Sequence, residues 1–420
     1  MKTQLLTTLK NHPLITTLRT SKGNPRVLLF LEPLWGIPFT LIAPYATLYM
    51  QGLGISDIEI GLLLSVGAFF QVFFAFFGGI LTDKFGRKNV TMIGDFFGWV
   101  IPCLVWAFSQ NIWWFLIAVA FSSLEQVNQT AWVCLLVEDA DQKQIVHIWN
   151  LIFIAAMLSV FFAPISGFFV SKTDVVPVLR VLYFLFAICM FIKNIVTWKY
   201  TKETQNGIKR KEATKNMSIW KMTTGYREVV SMIRKDKDTL LTLAVIVTLA
   251  CTNIVTSNFF SLYATTNLGV ASGTLAIFPI VRAGVIILAI FLIPKALDML
   301  PFKVPMVIGF VIYIICQIML IANPPGNLFM LYIYVIFDAI AFSLVSPRKE
   351  AMIARYVDVK ERARILSLLM AISFALTIPF GYLTGFLSSL NRQFPFFLCL
   401  GFYIIITIIL LTNKLGKIKT

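Results

Sequence analysis

The sequence predicts an all-α membrane protein whose twelve transmembrane helices form two six-helix repeats. Three observations predict it. The 420-residue chain is 58% hydrophobic and 13% charged, with a mean hydropathy of +0.82, a balance foreign to water-soluble domains. Twelve continuously apolar segments recur along it, each near the ~20 residues that cross a bilayer as a helix. A polar stretch over 200–238, with ten Lys and Arg against five Asp and Glu, divides these segments six and six.

The spans are expected near 27–50, 58–82, 90–109, 112–137, 146–171, 179–199, 239–265, 271–297, 304–322, 327–347, 363–388 and 394–412. Their apolar runs are continuous, not alternating, so helices are favoured over a barrel. Five regions follow. Residues 1–26 precede the first bundle, 27–199 form it, 200–238 link, 239–412 form the second bundle, and 413–420 are a tail. Residues 1–24 lack a long apolar core and a small-residue cleavage site, so no signal peptide is expected. Leu5, Leu6, Leu9, Leu14, Ile15 and Leu18 either lie on the membrane surface or belong to a plain tail.

A net charge of +16 suits nucleic acid, but its distribution argues otherwise. With both termini cytoplasmic, 31 of the 36 Lys and Arg fall on the cytoplasmic side. Lys172, Arg180 and Arg392 fall opposite, and Lys193 and Arg282 lie inside helices. This asymmetry orients the chain and favours anionic lipid over nucleic acid as a partner. The six cysteines each sit in a different apolar segment without metal or redox spacing. No metal, cofactor or nucleotide motif is present, and the two histidines, His12 and His147, are expected near the cytoplasmic surface. An enzyme is therefore not expected.

Between the second and third spans stands Gly79-Ile80-Leu81-Thr82-Asp83-Lys84-Phe85-Gly86-Arg87-Lys88. It predicts a tight turn ending one helix and starting the next. It resembles the signature loop of the major facilitator superfamily, G-x-L-x-D-[RK]-x-G-[RK]-[RK], at every defined position. An offset of 215 residues carries its Gly, Asp, Gly and final base to Pro294, Asp298, Pro301 and Lys303, and carries Pro164 to Pro379. Parallel six-helix repeats are how that superfamily is built. The resemblance implies the major facilitator fold, transport by alternating access, monomeric action and, from the compact loops, a bacterial cytoplasmic membrane.

Charged side chains deep in a bilayer cost about 2.5–3.5 kcal/mol each or more at a helix centre. Glu125, Arg282 and Asp338 lie near mid-span, with Glu32 and Lys193 nearer one end. Lys193 reads as a lysine reaching for the interface. In the superfamily the first, fourth, seventh and tenth helices line the central cavity. On the fourth, Glu125, Asn128, Gln129 and Trp132 share one face. Asn253, Thr256 and Asn258 on the seventh, Tyr334 beside Asp338 on the tenth, and Trp35 near Glu32 on the first complete a polar and aromatic set. Glu125, Asp338 and Glu32 are the proton-coupling candidates, with Arg282 available to pair with an acid or to hold helices together.

In the fifth span, Ser159-x-x-x-Ala163-Pro164-x-x-Gly167-Phe168 resembles the antiporter motif G-x-x-x-G-P-x-x-G-G, with three of its four glycines replaced. Close helix packing explains the pattern nearly as well. The arginine of the export signature R-x-x-Q-G is absent from Ser122-Ser-Leu-Glu125-Gln126, so that relay does not transfer. In the loop, Gly79 and Gly86 should shape the turn. Asp83 should cap a helix, and Lys84, Arg87 and Lys88 should meet acids or lipid, with Asp95 as a partner. Glu138, Asp139 and Asp141 look complementary to Arg348, Lys349 and Arg355. The leading function is export of small amphipathic molecules in exchange for protons. Proton-coupled uptake of a sugar or organic anion, a lipid or glycolipid flippase, and a receptor without flux are the alternatives.

Overall fold

The computed structural model describes residues 13–141, 144–219, 236–297, 303–356 and 362–413. Every regular element among them is helical. Eleven described helices are long and apolar enough to cross a membrane. The predicted fourth span is not one of these because it is two helices, Ile112–Ser122 and Glu125–Val137. The Ser122 and Ser123 hydroxyls both donate to the Val119 carbonyl, at 3.1 and 2.8 Å. Such local bonds compete with helix propagation. The break leaves Glu125 in a first helical turn, where the helix dipole favours an acid.

The helices fall into two compact units. The first comprises Met1–Ala43, Phe73–Ala163 and Leu179–Thr223; the second comprises Pro44–Val72, Pro164–Val178 and Thr224–Thr420. Spans one, two and five thus contribute one end to each unit. In the first unit, helix Pro13–Thr20 buries Thr17 and lays Leu18 against a core of Leu28, Leu29, Leu135 and Leu136. That helix is packed on its own bundle rather than lying loose; Leu5, Leu6 and Leu9 fall outside the described residues.

The signature loop is tighter than its sequence suggested. Helix Asp57–Phe85 runs through Gly79, and the turn is Gly86 alone, at φ +91°. That left-handed backbone suits glycine. The cap on the next helix, Arg87–Asp95, is not Asp83. Glu203 accepts the backbone N–H groups of Arg87 at 2.9 Å and Lys88 at 3.1 Å, filling the role the orphan amides require. Asp83 instead pairs with Arg87 at 3.0 Å.

Around this turn the start of the basic linker is stapled down. Glu138 receives Arg87 Nε at 3.1 Å, the Thr204 hydroxyl, and Asn206 at 2.9 Å. Asp139 accepts the Gln205 N–H. Thr214, at the end of helix Gln205–Thr214, donates to the Asp83 carbonyl, and Lys84 donates to the Met217 carbonyl. Lys88 caps the carbonyls of Trp198 and Thr201. Glu138 and Asp139, two of the acids expected to meet Arg348, Lys349 and Arg355, are therefore engaged within the first unit; the Arg355 side chain and residues 220–235 lie outside the described residues. So do Asp298 and Pro301 of the echoed loop, while Pro294 is helical within Ile277–Leu297.

In the second unit, Asp57 accepts Ser388 at 2.6 Å and Arg392 at 3.2 Å. Below this pair, a Cβ on Gly61 would meet the Gly381 carbonyl at 2.6 Å and Gly385 Cα at 2.8 Å. Backbones approach that closely only where side chains are missing. Ser65 enters the same seam. Its hydroxyl donates to the Ile378 carbonyl at 2.5 Å and accepts the Tyr382 N–H at 2.7 Å. It thereby bonds a carbonyl and an N–H one helical turn apart on either side of Pro379, inside helix Arg362–Leu390.

Two predictions follow from these contacts. Gly61→Val should destabilise the protein by about 1–3 kcal/mol through overpacking, seen as a lower melting temperature in detergent. Gly401→Ala, with nothing within 4 Å, should not. Burial alone would raise the Glu138 pKa, but hydrogen bonds from Thr204, Arg87 and Asn206 bring it below its ordinary 4.5. A depressed folded pKa contributes stability above pH 4.5 that disappears as pH falls through the folded value. The melting-temperature gap between wild type and Glu138→Gln should therefore hold at neutral pH and close only below about 4.5.

Candidate functional site

A cavity of about 310 Å³ opens within the first unit. The short helix Glu125–Val137 supplies Glu125, Asn128, Gln129 and Trp132 to its wall, the face that helical spacing predicts. Span one supplies Glu32 and Trp35, one turn apart, and span three supplies Asp95 and Trp99. Trp149 and Phe153 come from span five and Lys193 from span six.

Local sequence explains how these elements converge. Span three leaves regular α-helix at a π-helical turn, Phe96–Val100, ahead of Pro102. Such bulges turn a helical face locally. A Cβ on Gly94 would meet Asn128 Cβ at 2.6 Å, so glycine lets spans three and four touch where Asp95 meets Asn128. The indoles then pack edge to face: Trp35 on Trp99 at 5.7 Å, and Trp132 on Trp149 at 6.1 Å.

The charges in this cavity differ from expectation in two places. Asp95, expected beside the bases of the signature loop, is 1% exposed; its Oδ1 accepts Asn128 Nδ2 at 2.8 Å. Lys193, read as reaching for the interface, is 5% exposed, and its Nζ lies 3.6 Å from Asp95 Oδ2. Burying two charges is tolerable only when each compensates the other, and here they do. Among the described residues, neither Glu32 nor Glu125 has an ion-pair or hydrogen-bond partner. Asn128 Oδ1 and Trp132 Nε1 are also buried without a partner. The cavity thus presents two free carboxyl groups, an amide oxygen and an indole N–H among aromatic rings.

The other predicted residues divide by unit. Arg282 and Asp338 form an ion pair at 2.8 Å in the second unit, with the guanidinium 4.7 Å from the Phe342 ring. The Arg282 side chain remains 40% exposed. Tyr334 is buried and stacks on Phe260. Asn253, Thr256 and Asn258 spend their hydrogen bonds within their own helix, on Ser257, Thr252 and Ile254. In the motif of span five, the Ser159 carbonyl accepts Thr40 at 2.9 Å, and Gly36 leaves room for the Ser159 hydroxyl. Ala163 is fully buried. Pro164 begins the second unit's share, where Gly167 abuts the Gly273 carbonyl. These positions act in close helix packing.

Sequence reasoning missed Trp99, Trp149, Phe153 and Lys193 as wall residues and assigned Asp95 elsewhere. A signal was available for four of these five: Asp95 and Trp99 recur at i,i+4 in one apolar span, as do Trp149 and Phe153 in another.

Similarity to known proteins agrees with this architecture. The model of the Major Facilitator Superfamily matches residues 34–337. The uncharacterized MFS-type transporter YqjV of Bacillus subtilis (strain 168) is 28% identical over 155 residues, covering 36% of this chain and 38% of the relative. The multidrug resistance protein MdtG of Proteus mirabilis (strain HI4320) is 27% identical over 205 residues, covering 47% and 50%. The matched regions thus span half or less of these relatives. Among solved structures, the nucleoside transporter NupG aligns with a TM-score of 0.71 at 18% identity, covering 94% of this chain and 100% of that one. A peptide transporter POT in complex with sulfate aligns at 0.70 and 14%, covering 92% and 93%. At such identities the likeness is one of fold. Signature loop, helical architecture and family match agree, and the chain belongs to the Major Facilitator Superfamily of membrane transporters.

Proposed function

We propose that this transporter exports small amphipathic compounds in exchange for protons, working by alternating access with both termini cytoplasmic. The observation that carries the reading is the pair of unpartnered carboxyls, Glu32 and Glu125, on an aromatic cavity wall. A carboxyl without a fixed partner is free to bind a proton on one side of the membrane and release it on the other. Asp338 does not fit that role, because Arg282 holds it at 2.8 Å. Glu125 is therefore the leading proton carrier, with Glu32 beside it, and the indoles supply the apolar contact area an amphipathic compound needs. Similarity to a multidrug resistance protein supports the export sense.

A second reading, proton-coupled uptake of an organic anion, is favoured by one feature. The Arg282 guanidinium binds Asp338 through Nε while 40% of its side chain stays exposed. An exposed guanidinium edge suits a carboxylate or phosphate.

Proton flux in energised everted vesicles tests the first reading. Adding an amphipathic substrate should release protons with wild type, and Glu125→Gln should reduce that release at least about tenfold. Proton movement with an organic anion in the symport sense would reverse the assignment. Asp338→Asn should act differently: it leaves Arg282 without its partner, lowering the yield of folded protein. The double variant Arg282→Gln/Asp338→Asn should recover that yield, as measured by monodispersity in detergent.

A further inference from the structure

The cavity in the first unit holds an ionisable group that proton exchange does not use. Lys193 reaches the cavity wall from span six. Its partner Asp95 is shared, one oxygen accepting from Asn128 at 2.8 Å and the other lying 3.6 Å from the ammonium. That ion pair is loose, and Lys193 acts electrostatically on Glu32 and Glu125 as well. Among the described residues, the charges on the cavity wall are Glu32 from span one, Asp95 from span three, Glu125 from span four and Lys193 from span six, with none from span five.

Three carboxyls face one ammonium. Lys193 neutralises Asp95, leaving two. If one of those two carries the exchanged proton, a single negative charge remains for the transported compound. The surrounding indoles add cation–π attraction for an ammonium or other soft cation. We infer that Lys193 is a resident ammonium that fixes the charge of the transported compound, admitting an aromatic monocation and turning away a dication. The inference rests on the reading that this cavity holds the transported compound. A dication would need both free carboxyls and leave none for the proton. Without Lys193, Asp95 becomes a third available acid and that conflict disappears.

The test is equilibrium binding to the purified full-length protein in lipid nanodiscs, independent of transport. The probes are phenyltrimethylammonium, its neutral isostere tert-butylbenzene, the dication methyl viologen and the anion benzenesulfonate. Wild type should prefer phenyltrimethylammonium over each of the others. Lys193→Met should raise methyl viologen affinity relative to phenyltrimethylammonium by at least about tenfold. Lys193→Arg should keep the wild-type order. The double variant Lys193→Met/Asp95→Asn, which removes a balanced pair, should move the ratio back toward wild type. It also guards against misfolding of the single variant, in which Asp95 is buried alone. An unchanged ratio in Lys193→Met, or a double variant that behaves like the single one, overturns the inference. So does Lys193→Arg gaining the dication. If wild type binds none of the four probes, the reading of this cavity as the substrate site falls too. If it binds them with no dependence on Lys193, only the role of Lys193 falls.

Discussion

A charge placed among membrane helices must be compensated there, because the surrounding lipid offers no water to do it. Much of the first unit follows from that constraint. Asp95 and Lys193 offset each other's charge across spans three and six at 3.6 Å, and Asn128 donates to the acid's other oxygen. Holding those three groups together brings spans three, four and six to a common point. Gly94 keeps the approach open, and the π-helical turn after Asp95 directs Trp99 to the cavity wall. The carboxyls left outside this arrangement, Glu32 and Glu125, have no ion-pair or hydrogen-bond partner among the described residues.

The same logic governs the turn between spans two and three. Gly86 reverses the chain, and the amides that follow need acceptors. Glu203 provides them from the linker, while Glu138 collects Arg87, Thr204 and Asn206. The linker's first residues are thereby part of the bundle. Its basic composition describes a surface, and its few acids and hydroxyls do the fastening.

Much of the fold was legible in the sequence, because hydropathy and charge asymmetry reflect the solvent directly. Eleven of the expected spans are single apolar helices among the described residues. The fourth was not legible as two pieces, since serine hydroxyls breaking a helix look no different from serines packing one. In the candidate site, the face formed by Glu125, Asn128, Gln129 and Trp132 followed from helical spacing alone. The role of Lys193 did not, because its position near a span end permits either reaching outward or folding inward. Only the acid on a neighbouring helix decides between them, and pairing across helices leaves no local trace in one sequence. Asp83 was misassigned for a similar reason. The residue that caps the helix, Glu203, lies more than a hundred positions away.

Ser65 sits in the seam of the second unit with its hydroxyl bonded to another helix's backbone. Its hydroxyl takes the Tyr382 amide and the Ile378 carbonyl, groups four residues apart that an uninterrupted helix would join to each other. If that serine withdraws, the two groups still have each other, and its own hydroxyl can turn to a carbonyl in its own helix. No buried polar group then needs to be left without a partner. The Ser65 hydrogen bonds are therefore not what obliges this seam to stay closed; the close glycine packing is what sets its tightness.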